Sequence, residues 1–338
     1  MTRVAINGLG REGRSILRQY AQSDTGCLTG DLIIVAANDL MSADNVAYLT
    51  KYDSAYGVLP INVSAAEGLL NLGDKSLILL SEKNPEKLPW ADLDIDIVIE
   101  CTGQFTSCVA ASQHLKAGAR RVLIGAPALD ADVMLVMGVN ESLFDSQAHK
   151  IISNASCTTN SLAPVLKILL ENFGVDYAMV TTIHSYTASQ AMVDGGRKKI
   201  IQGRAGAVNI IPTSTGADKA TIAVLPELQG RLAALAVRVP VLTGSLTDMS
   251  VQLSTTTTAE EINQLFKTAS EGELKKIIGY TSEPLVSSDI IGDPRSCIVH
   301  GLSTRVLGGA SAKIHLWYDN EFAYARRCLE LVGFLSIG

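Results

Sequence analysis

The run Gly8-Leu9-Gly10-Arg11-Glu12-Gly13 constrains this chain more than any other feature. It follows a β-branched stretch, Arg3–Asn7, that reads as a strand, and it opens a helix-like segment, Gly13–Gln22. Glycines at this spacing allow a tight strand-to-helix turn and let backbone N–H groups approach a pyrophosphate at the helix N-terminus. Alone, the run also fits any tight βα turn. A second strand-like stretch, Leu32–Ala37, ends in Asn38-Asp39, where an acid meets the ribose 2′-OH of a dinucleotide. The same carboxylate repels the extra phosphate of NADP, so NAD is the expected cofactor. Gly8, Gly10, Arg11, Glu12, Gly13 and Asp39 form the expected turn, with Arg11 and Glu12 contributing mainly backbone.

Length and rhythm extend this reading. A chain of 338 residues suits two domains. Its first part continues in β-α-β alternation. Ile95–Glu100 and Val122–Ile124 read as short strands, with the helix-like Val109–Ala117 between them. After about residue 151 the style changes: helical periodicity over Thr159–Phe173 is followed by strands at Val180–His184, Leu235–Val239 and Thr247–Leu253. Thr258 and Glu261 form a capping-box pattern opening a helix at Glu260–Ser270. Asp194–Val208 reads as a long functional loop. Tyr324–Leu335 is a last helix placed to pack back on the first domain.

Composition excludes several classes. Hydrophobic residues at 47% and charged residues at 18% supply globular cores rather than disorder. A net charge of -6 without a basic run argues against nucleic acid or an anionic membrane as main partner. No window reaches the roughly 18 apolar residues of a membrane span. The N-terminal segment carries no signal-peptide h-region, so a cytoplasmic location is expected. Six cysteines, at 27, 101, 108, 157, 297 and 328, lack metal-ligand spacing and are expected to be thiols; no metal is expected.

The second motif is Ser153-Asn154-Ala155-Ser156-Cys157-Thr158-Thr159-Asn160, just before an apolar-periodic helix. A thiol at a helix N-terminus feels the positive end of the macrodipole, which lowers its pKa from about 8.5. A cysteine beside Ser and Thr is also a common packed small residue. The octapeptide, however, resembles that of the phosphorylating glyceraldehyde-3-phosphate dehydrogenase family. The resemblance runs over nearly the whole chain, through AINGLGREGR, AANDL, KYDSAYG, TTIHSYTASQ, NIIPTSTGA, VLPEL, VRVP and WYDNEFAY.

That resemblance implies a Rossmann-type, doubly wound α/β NAD domain, residues 1–156 plus the C-terminal helix 319–338. It also implies an α+β catalytic domain, 157–318, with a mostly antiparallel sheet. Cys157 matches the family nucleophile, and His184 the general base, a duty suited to a histidine near neutral pKa. Thr187 and Arg238 match the substrate-phosphate residues. Ser156, Thr158, Thr215 and Gly216 match those for inorganic phosphate, and Arg204 is the best-aligned loop arginine, with Lys198 and Lys199 as substitutes. Asn320 matches the residue that orients the nicotinamide carboxamide, Tyr324 lies near the same ring, and Thr102 joins the cofactor set. The implied partners are a phosphosugar, inorganic phosphate and identical subunits in a homotetramer.

The sequence also departs from the family pattern. Glu12 stands where Ile is usual, Gly125 where Ser or Thr contacts the cofactor, and Ser161 where a second cysteine is frequent. Gly196 replaces Pro in a loop one residue shorter, Ala323 replaces Gly, and Val-Leu-Thr follows RVP in place of Thr-Pro-Asn. Three rivals follow: an erythrose-4-phosphate dehydrogenase, suggested by residues 293–299; a catalytically quiet binding or redox-sensing relative; and a non-phosphorylating or semialdehyde-specific relative.

Overall fold

The computed structural model describes residues 1–22 and 31–337, so Cys27 lies outside the described residues. Seven α-helices are found among them: α1 Arg11–Gln22, α2 Ala43–Lys51, α3 Cys108–Lys116, α4 Cys157–Phe173, α5 Ala217–Val224, α6 Ala259–Glu271 and α7 Phe322–Leu335. None is long and apolar enough to cross a membrane. The chain divides into two compact units. One comprises Met1–Leu135, Glu141–Ala155 and Ala325–Gly338; the other comprises Val136–Asn140 and Ser156–Tyr324.

The first unit is built on a twisted sheet in the order Val133–Met134, Ile151–Ser153, Arg121–Ile124, Ile97–Glu100, Thr2–Asn7, Leu32–Asn38, Lys75–Leu80, Leu69–Leu72, Val63–Ala66. All pairings are parallel up to Lys75–Leu80, and the last two are antiparallel. Parallel strands covered on both faces read as unbroken apolar runs, and Ile97–Glu100 is buried at every position. Asn7, Asn38 and Glu100 end three adjacent strands in register. The turns that follow them therefore open along one edge, outside the carboxyl ends of the strands, where open α/β sheets bind ligands.

The second unit holds a mixed sheet in the order Ile211–Ser214, Leu232–Val239, Val175–Ser185, Ser245–Leu253, Ser311–Tyr318, Cys297–His300, Ile278–Thr281, with Arg305–Leu307 beside Ser311–Tyr318. Five of its seven pairings are antiparallel, so α+β describes it. Along Val175–Ser185, Ala178, Val180, Thr182 and His184 are buried, while Tyr177, Met179 and Ile183 face outward and are exposed. The period of two thus turns His184 inward. Both parts of the capping box at Thr258 and Glu261 form, opening α6. The stretch Asp194–Val208 stays irregular apart from two short 3-10 turns, Ile200–Gly203 and Gly206–Val208.

Candidate functional site

In the first unit the glycine-rich turn is shaped by two close approaches. Gly8 has φ +96°, and a Cβ there would lie 2.7 Å from the Thr102 nitrogen. At Gly13 a Cβ would fall 2.0 Å from the Gly8 carbonyl oxygen, so only glycine lets α1 start this close to the strand end. Asp39 is pinned by two backbone donors, Leu9 N to Oδ2 at 2.6 Å and Met41 N to Oδ1 at 2.8 Å. Its carboxylate is only half-buried and keeps lone pairs for ribose hydroxyls. Gly8, Gly10, Asn38, Asp39, Cys101 and Thr102 line an open cleft here, and nothing lies within 4 Å of where a Gly10 side chain would begin. Turn, acid and open edge fit a dinucleotide.

The two substituted positions in this unit explain each other. Arg11 leaves the turn through a 2.6 Å ion pair with Asp53. Glu12 points inward, where its Oε1 accepts from the thiols of Cys101 at 3.6 Å and Cys328 at 3.8 Å. The same oxygen would be 2.2 Å from a Cβ on Gly125, so the missing side chain at 125 makes room for the carboxylate. Burial and then the Glu12 charge push both thiols well above their ordinary pKa.

In the second unit α4 begins at Cys157 itself. Ser156 is its N-cap, accepting from Thr159 N at 3.0 Å. Ala155, the residue before, has φ +54°, a left-handed conformation that costs an L-residue roughly 1–2 kcal/mol. Cys157 Sγ lies 3.5 Å from His184 Nε2. His184 Nδ1 is 2.7 Å from the Ser185 carbonyl oxygen, an acceptor that favours Nδ1–H, while the donor-only Arg238 guanidinium against the same nitrogen favours the opposite tautomer. The Nδ1–H form turns the Nε2 lone pair towards sulfur. Arg238 is the parallel-strand partner of His184 in register; its Nη1 lies against His184 Nδ1 and donates to the Ser185 carbonyl at 3.1 Å. Burial, and then the Arg238 charge, lower the His184 pKa to about 3, below the near-neutral value expected of a general base.

Sequence comparison agrees with this arrangement. Residues 2–108 match the family description "Glyceraldehyde 3-phosphate dehydrogenase, NAD binding domain", and residues 156–320 match its "C-terminal domain". The chain belongs to the glyceraldehyde-3-phosphate dehydrogenase family. It is 46% identical over 334 residues to glyceraldehyde-3-phosphate dehydrogenase 2 of Streptomyces avermitilis, covering 99% of this chain and 98% of the relative. The glyceraldehyde-3-phosphate dehydrogenase of Streptomyces coelicolor is 47% identical, with 99% and 98% covered. That of Geobacillus stearothermophilus is 45% identical with the same coverage. Family membership brings NAD with it as cofactor.

The remaining residues expected from the family are placed as follows. The Thr158 hydroxyl bonds the Tyr318 hydroxyl at 3.1 Å, and the Ser156 hydroxyl bonds Thr159 Oγ1 at 2.8 Å, so both are engaged within the unit. Thr187 Oγ1 bonds Ser189 at 2.9 Å, and Thr215 Oγ1 accepts from Ala217 N at 3.1 Å. Gly216 is exposed at the start of α5. Arg204 lies on the exposed loop, ion-paired with Asp194 at 2.9 Å, and Lys199 reaches Ser214 at 3.2 Å. Asn320 Oδ1 accepts from Ser185 Oγ, Ser245 Oγ and Gly244 N at 2.9, 2.9 and 3.1 Å. Tyr324 is buried in the first turn of α7.

Several supporting residues escaped the sequence reading. Glu100, buried behind the cleft, accepts from Asn7 Nδ2 at 2.6 Å and Thr102 N at 2.7 Å, and its Oε2 is 3.0 Å from His114 Nε2. Trp90 Nε1 donates to His114 Nδ1 at 3.0 Å, fixing that ring's Nε2–H tautomer. Thr102, expected at the cofactor, thus spends its own donor on Glu100. Tyr318, whose ring sits 6.0 Å edge-on to His184 and whose hydroxyl is pushed up in pKa by burial, was likewise not singled out. An acid ending a strand and a tyrosine ahead of an Asp-Asn pair were the signals available.

Proposed function

We propose that this chain oxidises glyceraldehyde 3-phosphate with NAD and inorganic phosphate to 1,3-bisphosphoglycerate, through a covalent Cys157 intermediate. The observation that carries the reading is Cys157 Sγ at the N-terminus of α4, 3.5 Å from His184 Nε2. The helix N-terminus and the nearby Arg238 cation both favour the thiolate. Cys157 attacks the aldehyde carbon, forming a C–S bond, and the thiol proton passes by way of His184 to the carbonyl oxygen, which becomes a hydroxyl. His184 Nε2 takes the hydroxyl proton as the carbon gives up a hydride and becomes a thioester. NAD, when bound, supplies the hydride acceptor. A phosphate oxygen then attacks the thioester, the C–S bond breaks, and Cys157 leaves as thiolate with the acyl phosphate formed. A substrate phosphate held by Arg238 and Thr187 offsets the Arg238 charge and so raises the basicity of His184 when it is needed.

Residues 1–156 with 319–338 serve in this reading as the NAD domain and 157–318 as the catalytic domain. Gly8, Gly10, Gly13 and Asp39 hold the cofactor, with Arg11 and Glu12 at the turn by backbone, Thr102 at its wall, and Asn320 and Tyr324 at the nicotinamide. Ser156, Thr158, Thr215, Gly216 and Arg204 serve the attacking phosphate, a role in which backbone N–H groups matter, since two of these hydroxyls are already bonded. The exposed apolar face at Tyr177, Met179, Ile183 and Leu235 supports a homotetramer. Thiols at Cys101, Cys108, Cys157, Cys297 and Cys328 support a cytoplasmic location.

Against the erythrose-4-phosphate alternative suggested by residues 293–299, Thr187 and Thr215-Gly216 follow the glyceraldehyde-3-phosphate pattern. The deciding experiment follows NADH formation with glyceraldehyde 3-phosphate, with and without phosphate, for wild type and Cys157→Ser. Phosphate-dependent turnover is expected, falling by about a thousandfold or more in the variant. A silent wild type would overturn the reading, and faster turnover of erythrose 4-phosphate run alongside would move it to that sugar.

A further inference from the structure

The buried hydrogen bonds around Asn320 point to a role for Ser185 beyond its place next to His184. We propose that Ser185 is a positioning residue for hydride transfer, its carbonyl holding the ring of the base His184 and its hydroxyl holding the Asn320 amide. The inference rests on the dehydrogenase reading, in which Asn320 orients the nicotinamide carboxamide.

The amide orientation follows from the donors around it. Gly244 N is 3.1 Å from Asn320 Oδ1, and a backbone N–H can only donate. The atom facing it must therefore be the oxygen, and Nδ2 is left to point away as donor. Ser185 Oγ and Ser245 Oγ reach the same oxygen, each at 2.9 Å. Ser245 Oγ in turn accepts from Ser185 N at 3.2 Å through a lone pair, so its own proton stays available to Asn320. Ser185 is fully buried and Ser245 nearly so, which keeps water from replacing either bond. Three donors converge on one acceptor, two of them side chains that substitution can remove.

A flipped or loosened Asn320 amide no longer presents a donor to the carboxamide, and the nicotinamide ring is then free to offer its other face. The step itself is unchanged: a hydride passes from the substrate carbon to the ring, and the proton goes to His184. What Ser185 and Ser245 set is the face that receives it.

The test uses the full chain with NAD and an aldehyde substrate deuterated at C1, reading by NMR which face of C4 in the product carries deuterium. Wild type is expected to label one face. Ser185→Ala should raise KM for NAD about fivefold, the worth of one neutral hydrogen bond, with a smaller change in kcat. The rate of Cys157 alkylation by iodoacetamide should stay the same, because the Ser185 carbonyl that holds His184 survives. Ser185→Ala with Ser245→Ala should raise KM further and label both faces. Wild-type KM and single-face labelling in both single variants would overturn the proposal even if the double variant failed to fold. A parallel loss of kcat, alkylation rate and melting temperature at unchanged KM would also overturn it, as a merely structural role. A silent wild type would instead remove the dehydrogenase reading on which it rests.

Discussion

His184 shows how far a side chain's chemistry depends on neighbours brought from elsewhere in the chain. Its ordinary pKa of 6.5 falls to about 3 through burial and then the Arg238 charge. The folded protein therefore binds one proton fewer than the unfolded chain between those two values. Its contribution to stability is present above pH 6.5 and is lost as pH falls through that window towards 3. Acidifying from pH 6.5 to 4.5 should cost wild type about 2 kcal/mol through this group, somewhat under two pH units at 1.36 kcal/mol each. Urea denaturation at the two pH values should show His184→Gln losing that much less, and equal losses would sink the idea. The histidine was legible in HSYT; its suppressed basicity was not, because that depends on burial in the folded unit and then on strand pairing with Arg238. Asp39 and Cys157 read more fully, since a strand end and a helix start are local features.

At the scale of elements, the coupling of α1 to the end of Arg121–Ile124 is the point most open to test. Glu12 occupies the space that a side chain at 125 would fill. Gly125→Ala should therefore destabilise by about 1–3 kcal/mol, as overpacking does. In a Glu12→Ala background the same change should cost under about 1 kcal/mol, and a double-mutant cycle by thermal denaturation measures the difference. Additive effects would separate the two positions. From sequence, Glu12 and Gly125 were two unrelated oddities, because nothing local places them together. Elements with strong local signals read well, the glycine-rich turn and the Thr258–Glu261 box among them. Helix α4 was expected from Thr159 and begins at Cys157, because Ser156 supplies the cap. The antiparallel strands Val63–Ala66 and Leu69–Leu72 were missed, since four-residue strands carry too little alternation to register.

For the molecule as a whole, the exposed outer face of the second sheet matters most. Tyr177 and Met179 on one strand and Leu235 on its neighbour are 53%, 64% and 64% exposed, more apolar surface than a solitary subunit gains from showing. Sedimentation or light scattering should find a tetramer in wild type. Met179→Asp combined with Leu235→Asp should give smaller species that keep their circular dichroism, and an unchanged mass would remove this face from the assembly. The division of the chain into two units carries a different consequence, one of timing. Residues 325–337 complete the unit that begins at Met1, yet most of the other unit, residues 156–324, is translated before them. On the ribosome residues 325–337 reach the first unit only after residues 156–324 have been made. Until then any apolar surface that these residues cover stays exposed, the condition under which partly folded chains aggregate.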